Sequence, residues 1–321
     1  MIRWCLLLAL GGLLFGWPKP ATAAVDQSKR AALFAYDASQ PLAVQVRRTR
    51  RHGTITEQDI TFASPKGGRV TATLMVPEGA GPFAGIILLH GATGSRHSLR
   101  RGARLLCAAG AVCLLPDAPY CGDRAEAGKR LVDISNPAEM RAGVIRAVVE
   151  LRRCVDLLLA RPDVDAKRLA FIGSSLGGSV GGILAGVEKR IAAYALLVAS
   201  GSWHEAALKS QNLLVKLARL TLSKETIARA ADILAEVDPI HYVPHAAPAA
   251  LLFQNGKRDT TTPVSCAQDY QDAGSQPKEC RWYDAGHDLN IEAFMERAQW
   301  LREKIGIGPV EKPTRLDGLN H

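Results

Sequence analysis

Past its first two dozen residues, the sequence has no apolar run long enough to cross a bilayer as a helix, which takes about 20 residues. The apolar segment 191–199 is only strand-length. No paired Cys/His pattern with zinc-ligand spacing occurs, and no Gly-aromatic RNA-binding motif, so the common signs of a zinc module or an RNA reader are missing. Internal repeats and low-complexity tracts are also missing, which argues against a solenoid or a fibrous chain. What remains is an ordinary globular composition: 321 residues, 47% hydrophobic and 22% charged. That rules out disorder over most of the length and suffices for one large core.

The formal net charge is +9. Its densest contribution is the run Arg47, Arg48, Arg50 and Arg51. Such a run can contact nucleic acid or anionic lipid, but with no supporting motif it reads as a solvated basic surface. No nucleic-acid partner is expected. Residues 1–24 read as a secretory leader: Arg3, an apolar stretch from Trp4 to Trp17, then small residues at Ala21-Thr22-Ala23-Ala24. The expectation is export, to the periplasm or beyond the cell, with no membrane insertion after cleavage. The leader carries Cys5, which leaves Cys107, Cys113, Cys121, Cys154, Cys266 and Cys280. An even set in an exported chain permits disulfides, with Cys266–Cys280 the first candidate pair and Cys113–Cys121 the second. The alternative is buried free thiols.

Residues 25–321 are expected to form one domain. Residues 25–52 show no clear period and read as a loosely packed extension. Ile55–Phe62 and Val70–Val76 alternate around Lys66-Gly67-Gly68, which predicts an antiparallel hairpin. Continuous apolar runs follow at 84–89, 112–115, 169–172, 191–198 and 249–254, each suited to a strand buried on both faces. Helical spacing separates them at 100–109, 137–160, 176–186 and 203–236. A helix at 263–272, a short strand at 281–283 and a helix at 291–304 complete the order, and the polar tail after Ile307 reads as flexible. Strands alternating with helices imply an α/β fold: a mostly parallel sheet, helices on both faces, and an antiparallel hairpin at its start.

Gly173-Ser174-Ser175-Leu176-Gly177 fits G-x-S-x-G at a strand-to-helix junction. A turn that sharp needs small residues two before and two after its apex, and Gly173 and Gly177 supply them. It would lift Ser175 Oγ above the sheet and aim a helix N-terminus at the reacting atoms.

With this turn, the motifs His90-Gly91-Ala92-Thr93-Gly94, Gly256-Lys257-Arg258-Asp259 and Gly286-His287-Asp288 make the chain resemble the α/β-hydrolase superfamily. It is most similar to the dienelactone-hydrolase-like and prolyl-oligopeptidase-like serine esterases, over roughly residues 55–305. The resemblance implies an α/β-hydrolase fold and the chain order nucleophile, acid, histidine. Ser175, Asp259 and His287 stand in that order, each beyond a strand's C-terminal end. Ser175 would attack a carbonyl carbon, His287 would carry the proton, and Asp259 would orient the imidazole. Asp284 and Asp288 flank His287 too closely to orient it, and Asp238 precedes Pro239 as a turn or cap. Pro244 interrupts any helix pairing His241 with His245, and no third metal ligand is evident. The reading calls for no metal and no cofactor.

By the same resemblance, the oxyanion donors would be the backbone N–H groups of Leu176 and Ala92, with Thr93 the alternative to Ala92, and His90 would brace their loop. Asp117 and Tyr120, after the second buried strand, are candidates for substrate contact, against the alternative of a structural turn. Trp203 and the leucines at 213, 214, 217 and 220 could form the apolar face of a helical lid over 203–236, against the alternative of ordinary core packing. The expected partner is a small ester or amide. The function is expected to be ester hydrolysis through an acyl-enzyme, with a serine peptidase or a non-catalytic protein on the same fold as the alternatives. Dienelactone hydrolysis itself is disfavoured, because that group carries Cys where this chain has Ser175.

Overall fold

A computed structural model describes residues 27–320; the expected leader lies outside them. The order is α1 (Gln27–Ala32), β1 (Gln45–His52), β2 (Ile55–Ala63), β3 (Arg69–Pro77), β4 (Phe83–Leu89), α2 (Arg100–Ala108) and β5 (Ala111–Pro116). Then come α3 (Pro137–Leu159), β6 (Val164–Ser174), α4 (Leu176–Val187) and β7 (Ala193–Leu197). The chain continues through α5 (Trp203–Lys209), α6 (Leu213–Leu220), α7 (Lys224–Leu234), β8 (Ala250–Gly256), α8 (Val264–Ala273), β9 (Lys278–Tyr283) and α9 (Ile291–Ile305). One nine-stranded sheet runs β1-β2-β3-β5-β4-β6-β7-β8-β9 among the described residues. The pairs among β1, β2, β3 and β5 are antiparallel, and the rest are parallel.

The parallel strands read as continuous apolar runs because both their faces are covered. Along β4, Ile86 and Leu88 enter the core shared with α2 and α9, while Ile87 and Leu89 enter the one shared with α3 and α4. Each such fully buried side chain contributes about 1.5–3 kcal/mol. A one-residue slip would exchange the two sets of contacts.

Three expectations are corrected. Of the segment 25–52, expected as a loose extension, the described residues 27–52 pack on the domain. Phe34 is fully buried with its ring edge-on to Tyr242, Tyr36 Oη donates to Asp156 at 2.8 Å, and β1 adds an outer strand to the hairpin. The strand Gln45–His52 carries no apolar alternation because it is exposed on both faces. Charge on an exposed edge discourages pairing with another chain. Within the basic run, Arg50 pairs with Asp59 at 3.1 Å and Arg51 with Glu78 at 3.1 Å.

The tail after Ile307 is anchored. Gly102 N donates to Gly318 O at 2.7 Å, and Leu319 and Asn320 are buried beside Arg297, whose guanidinium donates to Asn320 Oδ1 at 2.6 Å. Nor do the cysteines pair: Cys107, Cys113, Cys121, Cys154, Cys266 and Cys280 are all free. Cys113 points under α2, where its thiol donates to Ala103 O, whereas Cys121 faces Ala92 O. Cys266 is buried in α8 and Cys280 is exposed on the edge strand.

The segment between β7 and β8 is helical, as its spacing predicts, and is pinned by a buried carboxylate. Asp238 accepts from Trp203 N at 2.8 Å and from Ser202 Oγ at 3.0 Å. Burial raises its pKa from 3.8 to about 6, although the two hydrogen bonds oppose the shift. A carboxyl whose folded pKa lies above its unfolded one favours the folded state when protonated. Its cost to stability is therefore absent below pH 3.8 and grows as pH rises through about 6. Asp238→Asn should flatten the Tm-versus-pH curve across that window while leaving Tm at pH 7.5 equal or higher. A series of thermal melts from pH 4 to 8 checks this.

Candidate active site

Strand β6 ends at Ser174 and α4 begins at Leu176, so Ser175 alone makes the turn. Its backbone sits at φ 54°, ψ −112°, a conformation that costs an L-residue about 1–3 kcal/mol. The flanking glycines are required by contact. A β-carbon on Gly173 would stand 2.1 Å from Gly177 O, and one on Gly177 would stand 2.2 Å from Leu89 O. The second contact also shows that the end of β4, where the His90 loop begins, lies directly against the turn. Ser175 N donates to Leu197 O at 2.8 Å, which ties the turn to β7.

The structure brings together the three residues singled out from the sequence. Ser175 Oγ lies 3.0 Å from His287 Nε2, and His287 Nδ1 lies 2.7 Å from Asp259 Oδ2. Asp259 follows β8 in the turn toward α8, and its other oxygen accepts from Thr261 N at 2.8 Å and Thr262 N at 2.9 Å. Those two N–H groups fix the carboxylate plane. An ionised carboxylate can only accept, so it requires the proton on His287 Nδ1. Nε2 is then left with its lone pair toward the serine hydroxyl. Asp259 is nearly buried, at 3% side-chain exposure, and His287 is partly open, at 20%. Asp284 instead pairs with Arg258 at the surface, at 3.3 Å.

The loop after β4 faces the turn. Gly91 is partly exposed, and Ala92 and Thr93 are exposed. Among the described residues, no backbone carbonyl takes the N–H of Ala92 or Leu176. His90 braces this loop from below: Ala118 N donates to its Nε2 at 3.1 Å, so the proton sits on Nδ1 and is donated to Gly91 O at 2.7 Å. Burial lowers the His90 pKa, which keeps the ring neutral in that role.

The remaining pocket candidates stand elsewhere. Asp117 is fully buried and grips Thr71 Oγ1 at 2.6 Å, Arg96 N at 2.7 Å and the Arg96 guanidinium. It lies beneath the loop and offers no face to a substrate. Tyr120 lies under Lys129 Nζ and lines a cleft of about 340 Å³ with Thr71, Arg124 and Arg146, which none of Ser175, Asp259 and His287 lines. Trp203 is buried, and its indole N–H donates to Val237 O at 2.9 Å, so it packs the inserted helices together instead of lining a pocket. The inserted helices do adjoin the site: Gln211 N donates to Thr260 O at 2.9 Å, beside Asp259. Leu213, Leu217 and Leu220 of α6 are exposed. Arg96 and Thr71 had no sequence signal, since nothing local marks a side chain that acts by holding a loop from another strand.

A family model described as acetyl xylan esterase (AXE1) matches residues 38–304. No individual curated sequence matches. Among solved structures, the chain is similar to an acetyl xylan esterase from Paenibacillus sp. R4, with 19% identity and TM-score 0.71 over 87% of this chain and 93% of that one. It is similar to acetyl xylan esterase 1 from Thermoanaerobacterium sp. JW/SL YS485 over the same shares, with 16% identity and TM-score 0.75. It is also similar to a prolyl endopeptidase, with 16% identity and TM-score 0.60, over 79% of this chain but 39% of that one. At these identities the likenesses establish the fold, that of the α/β-hydrolases.

Proposed function

Because the chain belongs to the acetyl xylan esterase family and is thereby a carboxylic-ester hydrolase, we propose that it removes acetyl groups from acetylated xylan or its oligosaccharides through an acyl-enzyme on Ser175. The observation that carries this reading is the continuous relay from Ser175 Oγ to His287 Nε2 at 3.0 Å and from His287 Nδ1 to Asp259 Oδ2 at 2.7 Å. Serine is a weak nucleophile until a base takes its proton. His287 takes it as Oγ adds to the acetyl carbonyl, and Asp259 stabilises the imidazolium that forms. The carbonyl oxygen becomes an oxyanion facing the N–H groups of Leu176 and Ala92, at the N-terminus of α4. His287 then protonates the departing sugar oxygen. Water repeats the sequence, releases acetate and restores Ser175. The leader-like residues 1–24 support export to the periplasm or the medium, where a polymeric substrate is met.

The test is acetate release from acetylated xylan by the purified mature protein, alongside p-nitrophenyl acetate and octanoate. The expected result is measurable acetate and a preference for the acetyl ester of about tenfold or more in kcat/KM. Cleavage of octanoate with no acetate from xylan would overturn the substrate assignment. A fluorophosphonate should label Ser175, and a folded protein that stays unlabelled would overturn the serine mechanism.

A further inference from the structure

We propose that Asp117 is the positioning residue of the oxyanion hole, holding the loop His90–Arg96 at the height where the Ala92 N–H meets the oxyanion. The inference rests on the serine reading above. The loop's middle, Ala92 and Thr93, is exposed, so no burial of its own holds it in place. Three contacts from the segment Asp117–Cys121, which follows β5, tie it down along its length. At the start, Ala118 N donates to His90 Nε2 at 3.1 Å. In the middle, the Cys121 thiol donates to Ala92 O at 3.7 Å. At the end, Asp117 accepts from both the Arg96 backbone and its guanidinium.

Asp117 is itself fixed. Thr71 Oγ1 donates to its Oδ2 at 2.6 Å, and its own N–H donates to Thr71 O at 2.8 Å, so the bracket is built on β3. The Arg96 guanidinium reaches onward to Asp123 Oδ2 at 2.5 Å. The end anchor is charge-assisted and buried, which makes it the strongest of the three. Catalytic geometry tolerates little error: a donor misplaced by about 1 Å can cost on the order of a hundredfold in rate.

Asp117→Asn keeps the shape but sets an amide N–H against the Arg96 guanidinium. Expected for p-nitrophenyl acetate, per active site titrated with fluorophosphonate, is a 10- to 100-fold fall in kcat, on the order of that positional sensitivity, with KM within about twofold. Inhibition by a methyl trifluoromethyl ketone, which adds to a serine as a tetrahedral oxyanion, should weaken in the same ratio. A merely structural role would lower the number of titratable sites and leave both per-site constants unchanged, which overturns the proposal. If Asp117→Asn does not fold, Thr71→Val decides: a smaller fall shared by kcat and ketone affinity supports the proposal, and unchanged values overturn it. Asp156→Asn, which breaks a charged cluster around Arg153 and Arg190, should lower Tm with kcat unchanged. If Ser175→Ala abolishes turnover while Asp117→Asn keeps full per-site kcat and ketone affinity, this inference fails and the serine reading stands. Retained turnover in Ser175→Ala would instead remove the reading on which it rests.

Discussion

Ser175→Ala is expected to lower kcat for p-nitrophenyl acetate by about ten-thousand-fold or more, with the folded state intact. The change deletes one oxygen. That oxygen lies 3.0 Å from His287 Nε2. On the proposed mechanism no acyl-enzyme then forms, and the N–H groups proposed to hold the oxyanion, those of Leu176 and Ala92, are left to assist direct attack by water. Alanine keeps the β-carbon, so the turn at φ 54° is occupied by another L-residue under the same backbone strain. Stability should shift by about 1 kcal/mol, the worth of one hydrogen bond. The measurement is kcat on purified variant and parent, with Tm and circular dichroism to establish folding. A folded variant that retains turnover within tenfold of the parent would sink the mechanism.

How much of this was legible beforehand follows from where the physical signal lies. The five buried strands are legible because burial on both faces demands continuous apolar residues, as in Ile86–Leu89. The turn at Ser175 is legible because steric contact leaves glycine as the residue that fits at 173 and 177. Strand β1 is illegible: Gln45–His52 buries no side chain and is held mainly by its ladder to β2, and hydrogen bonds between backbones leave no mark on residue choice. The tail is illegible for a related reason. Its anchors include the acceptors Gly318 O, Leu319 O and Asn320 Oδ1, whose donors Gly102 and Arg297 lie far away in sequence. Cysteine spacing carries no direction, and the direction of each thiol decides whether it can pair. The role of Asp117 is hidden in the same way. Its place after a strand end marks it as near the site, but only the fold shows that its carboxylate points under the loop at Arg96. Helical spacing leaves Trp203 open between a lid face and core packing; its indole N–H, bonded to Val237 O, turns it inward.

Asp259→Asn should cost nearly as much as removing the serine, about ten-thousand-fold in kcat near neutral pH, through a change of tautomer rather than a loss of charge alone. The two backbone donors decide the outcome. Thr261 N and Thr262 N both point at Oδ1, at 2.8 and 2.9 Å, so an asparagine must place its single oxygen there to keep both bonds. Its amide nitrogen then occupies the Oδ2 position, 2.7 Å from His287 Nδ1. That nitrogen can only donate, so Nδ1 must accept and the ring proton moves to Nε2. An Nε2 that carries a proton cannot take one from Ser175, although every heavy atom stays in place. The alternative rotamer would restore the tautomer but would turn an N–H group against two backbone N–H groups in a nearly buried site, where an unmet donor costs about 1–3 kcal/mol. The expected signature is therefore a variant with near-parental Tm and KM and a collapsed kcat. Thermal melts and steady-state kinetics on purified variant and parent check this, and near-parental kcat at pH 7 would show that Asp259 does not set the histidine's tautomer.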